Sequence, residues 1–340
     1  MSEEAFLAMP IAFQGLVVES TSRCNAKCGM CYQAAGPAGS DILGKAALDE
    51  GTIRRVLEEA IELPTLGKRF HLAGGEAFLN VGSCVSLFAH ARSLGYTEIS
   101  TTTNAYWARK PAQADAILRE ARCAGLRRME ISWDYWHLPY IPPQAINFCL
   151  IACAKWGVSS NLRILTSREH SAEEALAWLD SEALALATEI ISCPVFPTGR
   201  AAKGIDPAEI YKSGDLASTC HSVLHLTINA LGNVAPCCAG ADQTEGLSFG
   251  NVREQSLTEI VATMNTSRML RALVFLGPGT LLGILEKGGT NIGREFTNIC
   301  HLCWTMASDR QHMSKIKAYF EEQQQIAVLD VIKRYADQPT

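Results

Sequence analysis

Six short apolar runs of strand type, at 13–19, 69–73, 97–103, 128–133, 160–165 and 189–195, alternate with longer stretches of helical period. The helical stretches fall at 48–63, near 84–94, and at 111–124, 143–156 and 171–186, with Pro64 stopping the first. Strands joined by a helical crossover pair in parallel, and the crossover is right-handed. Such a chain buries its strands under a layer of helices. The expected fold class is α/β: a partial (β/α)6 barrel of roughly 190 residues, short of the roughly 250 of an eight-unit barrel. Functional groups in such barrels collect at the C-terminal ends of the strands.

The first of those ends carries three cysteines, Cys24, Cys28 and Cys31, in a C-x3-C-x2-C array followed by Tyr32. Thiolates at this spacing converge on a metal. Zinc is one candidate, but structural zinc sites close with a fourth Cys or His nearby, and no Cys or His follows Cys31 until His71. An iron–sulfur cluster held by three thiolates instead leaves one iron open to a ligand.

Composition narrows the setting. The chain of 340 residues has a net charge of −5 and no dense basic block, which argues against a nucleic-acid surface. It shows no basic signal-peptide flank and no apolar run near the roughly 20 residues of a membrane span, so no membrane association is expected and the cytoplasm is the expected location. In a reducing compartment the 13 cysteines read as metal ligands and buried hydrophobes rather than disulfides. Cys84, Cys123, Cys149, Cys153 and Cys193 sit singly or at helical spacing in apolar surroundings, where a small buried side chain is the default.

The second strand ends in Gly74-Gly75-Glu76. The glycines admit close backbone approach, and Glu76 is an acceptor for an ammonium group. The cysteine loop and this tripeptide together resemble the radical S-adenosylmethionine superfamily. The resemblance implies that Cys24, Cys28 and Cys31 hold a [4Fe–4S] cluster whose open iron chelates the methionine part of S-adenosylmethionine. It also implies the partial-barrel fold, and contacts to the cofactor from Met30, Gly74, Gly75, Glu76, Thr102, Asn104, Ser132, Asp134 and Arg163. Thr101 and Thr103 equally suit helix capping. Asp134, His137 and the aromatics between them suit either a turn or a substrate pocket.

Beyond residue 200 the alternation stops. A strand-like run, a turn between Asn229 and Asn233 and a second strand form an expected hairpin that brings Cys220 and Cys237 together. Cys300 and Cys303 form a further C-x2-C pair. Four cysteines suit zinc or a second cluster. The pattern C-x11-G-x4-C followed by C-x2-C resembles the twitch domain, a short relative of the SPASM domain, which implies one auxiliary [4Fe–4S] cluster on Cys220, Cys237, Cys300 and Cys303. The expected divisions are a core at 12–200, an auxiliary-cluster domain at 215–305 and a C-terminal helix at 306–340. The glycine-rich 277–293 reads as a flexible loop or lid.

The superfamily resemblance implies hydrogen abstraction from an unactivated carbon by a 5′-deoxyadenosyl radical, with an external electron donor such as flavodoxin or ferredoxin. Cys238 is surplus to the four-cysteine set and suits a hydrogen donor, or else a small buried hydrophobe. Epimerisation of a peptide is the preferred outcome. Oxidation or epimerisation of an aminocyclitol, peptide crosslinking, and a zinc-stabilised binding protein are the alternatives.

Overall fold

The computed structural model describes residues 9–212, 216–220, 224–238, 240 and 243–336, excepting the side chains of 324–336. Six parallel strands follow in chain order: β1 (Leu16–Glu19), β2 (Arg69–Ala73), β3 (Glu98–Thr103), β4 (Arg128–Ser132), β5 (Ser159–Thr166) and β6 (Glu189–Pro194). β1 starts later than its apolar run because the N–H of Phe13 donates to Thr65 and that of Gln14 to Leu224, two different neighbours.

The helices between them form for local reasons. Helix α1 (Glu50–Ile61) opens on Asp49, whose side chain accepts from the Thr52 N–H, and buries Ile53, Val56, Leu57 and Ala60, a single stripe at helical period. Each large apolar side chain on that stripe contributes about 1.5–3 kcal/mol by leaving water. Helix α2 (Val81–Ser93) follows β2. Helices α3 (Pro111–Ala124) and α4 (Pro143–Trp156) begin at proline and end at Gly125 and Gly157. The run expected as one helix at 171–186 is two short ones, α5 (Ala172–Ala177) and α6 (Ser181–Leu184). Between them Asp180 is extended and its N–H donates to buried Asn147 on α4, so satisfying that amide takes precedence over helix continuity.

The sheet does not close into a full barrel. Its strand order is β6-β5-β4-β3-β2-β1-β7-β8, with β7 (Leu226–Ile228) and β8 (Val234–Ala235) continuing it beyond β1. β7 runs parallel to β1 with Leu16 opposite Leu226. The hairpin of the second region is therefore built onto the core sheet. Its turn closes as expected, Gly232 N–H donating to the Asn229 carbonyl and Asn229 N–H to that of Asn233.

A one-turn helix α7 (Ala201–Gly204) leaves β6, and α8 (Leu257–Thr266), α9 (Arg268–Leu276), α10 (Pro278–Lys287), α11 (Ile299–Ala307) and α12 (Arg310–Ala336) complete the chain. The expected lid is corrected here: most of 277–293 is α10, which starts at Pro278 and buries Leu281, Leu282 and Leu285. No single described helix is long and apolar enough to cross a membrane; α9 and α10 pass such a test only as a pair, bent by 119°.

Candidate active site

The cysteine loop is folded before any ligand is considered. Cys24 N–H donates to the Gly36 carbonyl, Cys31 N–H to Cys28, and Ala34 N–H to Cys31, so the three thiols sit on a closed turn. Cys24 and Cys28 are buried and Cys31 is half-buried. Burial raises the Cys24 thiol far above its ordinary range, and the Glu76 carboxylate adds to the shift. Burial likewise raises Cys31, partly offset by the backbone N–H of Ala35 and by the Arg200 guanidinium. Burial thus favours the protonated thiols of Cys24 and Cys31, and a bound cation would draw those protons off. The all-sulfur donor set fits an iron–sulfur cluster.

Gly74 and Gly75 are needed by this loop. Gly75 N–H donates to the Thr21 carbonyl at 2.6 Å and Glu76 N–H to that of Arg23 at 2.9 Å. A Cβ on Gly75 would stand 2.1 Å from the Arg23 carbonyl oxygen, so only glycine lets the end of β2 lie against the loop. Glu76 is 1% exposed. Its carboxylate accepts from Phe78 N–H at 3.1 Å, Thr103 Oγ1 at 2.8 Å and Asn104 N–H at 2.8 Å. Burial outweighs those donors and pushes its pKa up to about 7.

Asn104 also reaches the cysteines: its Nδ2 donates to Asn25 Oδ1 at 3.0 Å and points to Cys24 Sγ at 3.6 Å. Hydrogen bonds to ligand sulfurs tune iron–sulfur sites. Thr101 and Thr103 tie β3 to β2, donating to the Leu72 carbonyl and to Glu76.

The inner side of the sheet is polar. His71 lies between Ser100 Oγ and Thr102 Oγ1, each 2.8 Å from a ring nitrogen, and burial pulls its basicity down to about 4. Arg163 stands beside Glu130 at 3.2 Å and also reaches Cys193 Sγ at 3.7 Å. Thr102 and Arg163 thus have protein partners, while Ser132 stands opposite Arg163 in the β4–β5 register. Met30 packs with Ala26, Ala35 and Val195 beneath the loop.

Asp134 bonds within its own loop. It is 1% exposed, and its Oδ1 accepts from Trp136 N–H and His137 N–H and pairs with His137 Nδ1 at 2.9 Å. Burial opposes protonation of His137, but the charges of Asp134 and Cys28 and its hydrogen bonds to both hold it protonated well above the usual range. Asp134 and His137 thus form a buried pair against Cys28 of the cysteine loop. Tyr135 stacks on His170, and Trp136 lies against Gly29.

Two contacts of the loop had no sequence signal. Arg200, after β6, donates to three loop carbonyls and to Asp41. Glu19 at the end of β1 accepts from the Tyr32 hydroxyl at 2.9 Å and from Gln243 Nε2 at 2.8 Å, which joins the second region to the loop.

In that region Cys300 and Cys303 lie three residues apart on α11, on one face. Burial, with the charge of Cys300, pushes Cys220 up to about 11. Burial raises Cys303 further, with Cys220 and Cys300 adding to it, so the three thiols lie within electrostatic reach of one another. Cys237 and Cys238 follow β8 and are half-buried. A cavity of about 980 Å³ between the loop and the second region is lined by Arg200, Lys203, Gln243, Trp304 and Lys317.

The family described as SPASM, an iron–sulfur cluster-binding domain, matches residues 220–304, which contain all four expected auxiliary ligands. Among solved structures, native anSMEcpe with bound AdoMet and Cp18Cys peptide is 15% identical, covering 94% of this chain and 99% of that one at a TM-score of 0.53. Native anSMEcpe with bound AdoMet is 13% identical, covering 92% and 99%, also at 0.53. The chain has the fold of radical S-adenosylmethionine enzymes with a C-terminal SPASM-type domain. BtrN in complex with AdoMet and 2-DOIA is 14% identical over 80% of this chain and 91% of that one, at a TM-score of 0.49. No curated protein matches in sequence. The matched domain is described as iron–sulfur cluster-binding, and the anSMEcpe structures hold AdoMet.

Proposed function

We propose that the chain is a peptide epimerase, with Cys24, Cys28 and Cys31 holding the S-adenosylmethionine cluster and Cys220, Cys237, Cys300 and Cys303 the auxiliary one. When bound, the first cluster and S-adenosylmethionine supply a 5′-deoxyadenosyl radical, which takes a hydrogen atom from an unactivated carbon. The remaining tasks are the chain's own. Asn104 faces Cys24, and Glu76 ties the ends of β2 and β3 to the loop. The partners inside the barrel, His71 with Thr102 and Glu130 with Arg163, offer polar groups to an incoming ligand.

The observation that carries the reading is the position of Cys238. It lies on the stretch that leaves β8 and returns to the core, where Gly240 approaches Thr198 and Gln243 bonds Glu19. Cys238 directly follows the proposed auxiliary ligand Cys237, and Gln243 bonds Glu19, which also bonds Tyr32 of the cysteine loop. The Cys238 S–H bond is weak enough to give its hydrogen atom to a substrate carbon radical, forming C–H on the opposite face. The resulting sulfur radical regains one electron from an external donor of the flavodoxin or ferredoxin class and one proton from water. The peptide preference is supported by the peptide in the anSMEcpe complex.

A C238A variant is compared with wild type on a panel of short synthetic peptides in deuterated water. The expected result is 5′-deoxyadenosine without inverted, deuterium-labelled product. Full inversion by C238A overturns the reading. An oxidised or crosslinked product, in place of inversion, assigns the alternative in which the auxiliary cluster takes the electron.

A further inference from the structure

The loop's carbonyl side is occupied by one residue from the far end of the core. Gly199 and Arg200 follow β6, and a Cβ on Gly199 would stand 1.9 Å from the Tyr32 carbonyl oxygen, so the backbone there lies directly on the cysteine loop. Arg200 N–H donates to the Cys31 carbonyl at 3.0 Å. Its guanidinium donates through Nη1 to the Cys28 carbonyl at 2.7 Å and through Nη2 to the carbonyls of Ala35, at 2.8 Å, and Ala34. Nε completes the fork on Asp41 at 2.8 Å. The side chain is 13% exposed.

The charges around it do not cancel. Asp41 is the acidic partner, and Lys27 also stands 3.3 Å from it, so the two cations and one anion leave a net positive charge beside Cys31. A guanidinium stays charged at every working pH and is less strongly hydrated than an ammonium, which suits a nearly buried position.

We propose that Arg200 is a positioning residue for the first cluster: it locks the 28–35 turn and supplies the positive charge that favours the bound cluster's reduced state. This rests on the reading of Cys24, Cys28 and Cys31 as ligands. One-electron reduction of a [4Fe–4S] cluster adds one negative charge, the electron coming from an external low-potential donor. A fixed neighbouring cation stabilises that added charge, and three carbonyls clamped by one fork keep the thiolates from spreading.

The test uses the full chain, purified without oxygen, in wild-type, R200Q and R200K forms. Readouts are iron content, a redox titration followed by electron paramagnetic resonance, and hydrogen exchange over residues 28–35. R200Q keeps donors but loses the charge. Its reduced-to-oxidised ratio at a fixed potential is expected to fall about tenfold, a shift of about 59 mV for a one-electron couple. R200K keeps the charge but not the fork, and is expected to hold the ratio within about threefold while the turn exchanges faster. Loss of the first cluster from R200Q but not R200K also supports the proposal. An unchanged potential in iron-loaded R200Q overturns it, as does equal iron loss from both variants, which would leave Arg200 a merely structural residue. A wild-type protein whose cysteine loop binds no iron overturns instead the ligand reading beneath it.

Discussion

Replacing Gly75 with alanine tests whether the cysteine loop is held by the end of β2. The added Cβ would lie 2.1 Å from the Arg23 carbonyl oxygen, 2.5 Å from its carbon and 3.1 Å from Ala35 Cβ. Two of these are backbone atoms, so the strand end must move away. Relief of such overpacking costs about 1–3 kcal/mol. The movement also weakens two hydrogen bonds, Gly75 N–H to Thr21 and Glu76 N–H to Arg23, each worth roughly 0.5–1.5 kcal/mol. The expected destabilisation is about 2–6 kcal/mol. Gly29→Ala is the control: its Cβ would meet only Trp136, at 3.5 Å, and the expected change is within about 0.5 kcal/mol. Urea unfolding followed by circular dichroism measures both, and hydrogen exchange over residues 20–36 reads the loop. Equal stability of G75A and wild type, with unchanged exchange in the loop, would refute the packing argument.

Two further outcomes follow from burial. Because His71 is pulled down to about 4 in the folded chain, from 6.5 when free, the unfolded chain binds the extra proton between those values. The His71 contribution is therefore present above pH 6.5 and lost as pH falls toward 4, at up to about 1.4 kcal/mol per pH unit; H71Q should show a shallower acid-side loss in urea titrations, and an unchanged slope would contradict the assignment. Leu285 on α10 is fully buried, so L285A should destabilise the protein by about 2–5 kcal/mol, whereas a residue on a flexible lid would show almost no change in melting temperature.

What could be read in advance depended on how local each signal was. The bounds of α3 and α4 agree with the sequence to the residue because Pro111, Pro143, Gly125 and Gly157 act within one turn. The alternation of runs was enough for the parallel core, since crossover geometry leaves few choices. It was silent on β7 joining β1, a pairing between residues far apart in the chain that depends on the tertiary fold. Gly277, Pro278 and Gly279 suggested a loop, yet Leu281, Leu282 and Leu285 carried a helical period that burial made decisive. At the site, Gly74-Gly75-Glu76 stood out, but its packing against Thr21 and Arg23 joins residues more than fifty apart in the chain, which no local pattern encodes. The Asp134–His137 pair had a legible trace in its three-residue spacing, which suits an Asp side chain accepting from the N–H three residues on. Arg200 had none, because its partners lie 159 to 172 residues earlier.

The measurement that bears most directly on the account is iron, sulfide and zinc analysis of the anaerobically purified chain beside a variant with Cys24, Cys28 and Cys31 all changed to alanine. The account predicts a brown wild-type protein with about two four-iron clusters, little zinc, and a resonance spectrum altered by S-adenosylmethionine. The triple variant should keep about one cluster and lose both the spectral response and cofactor cleavage. A colourless wild-type protein carrying zinc at the loop cysteines would contradict it.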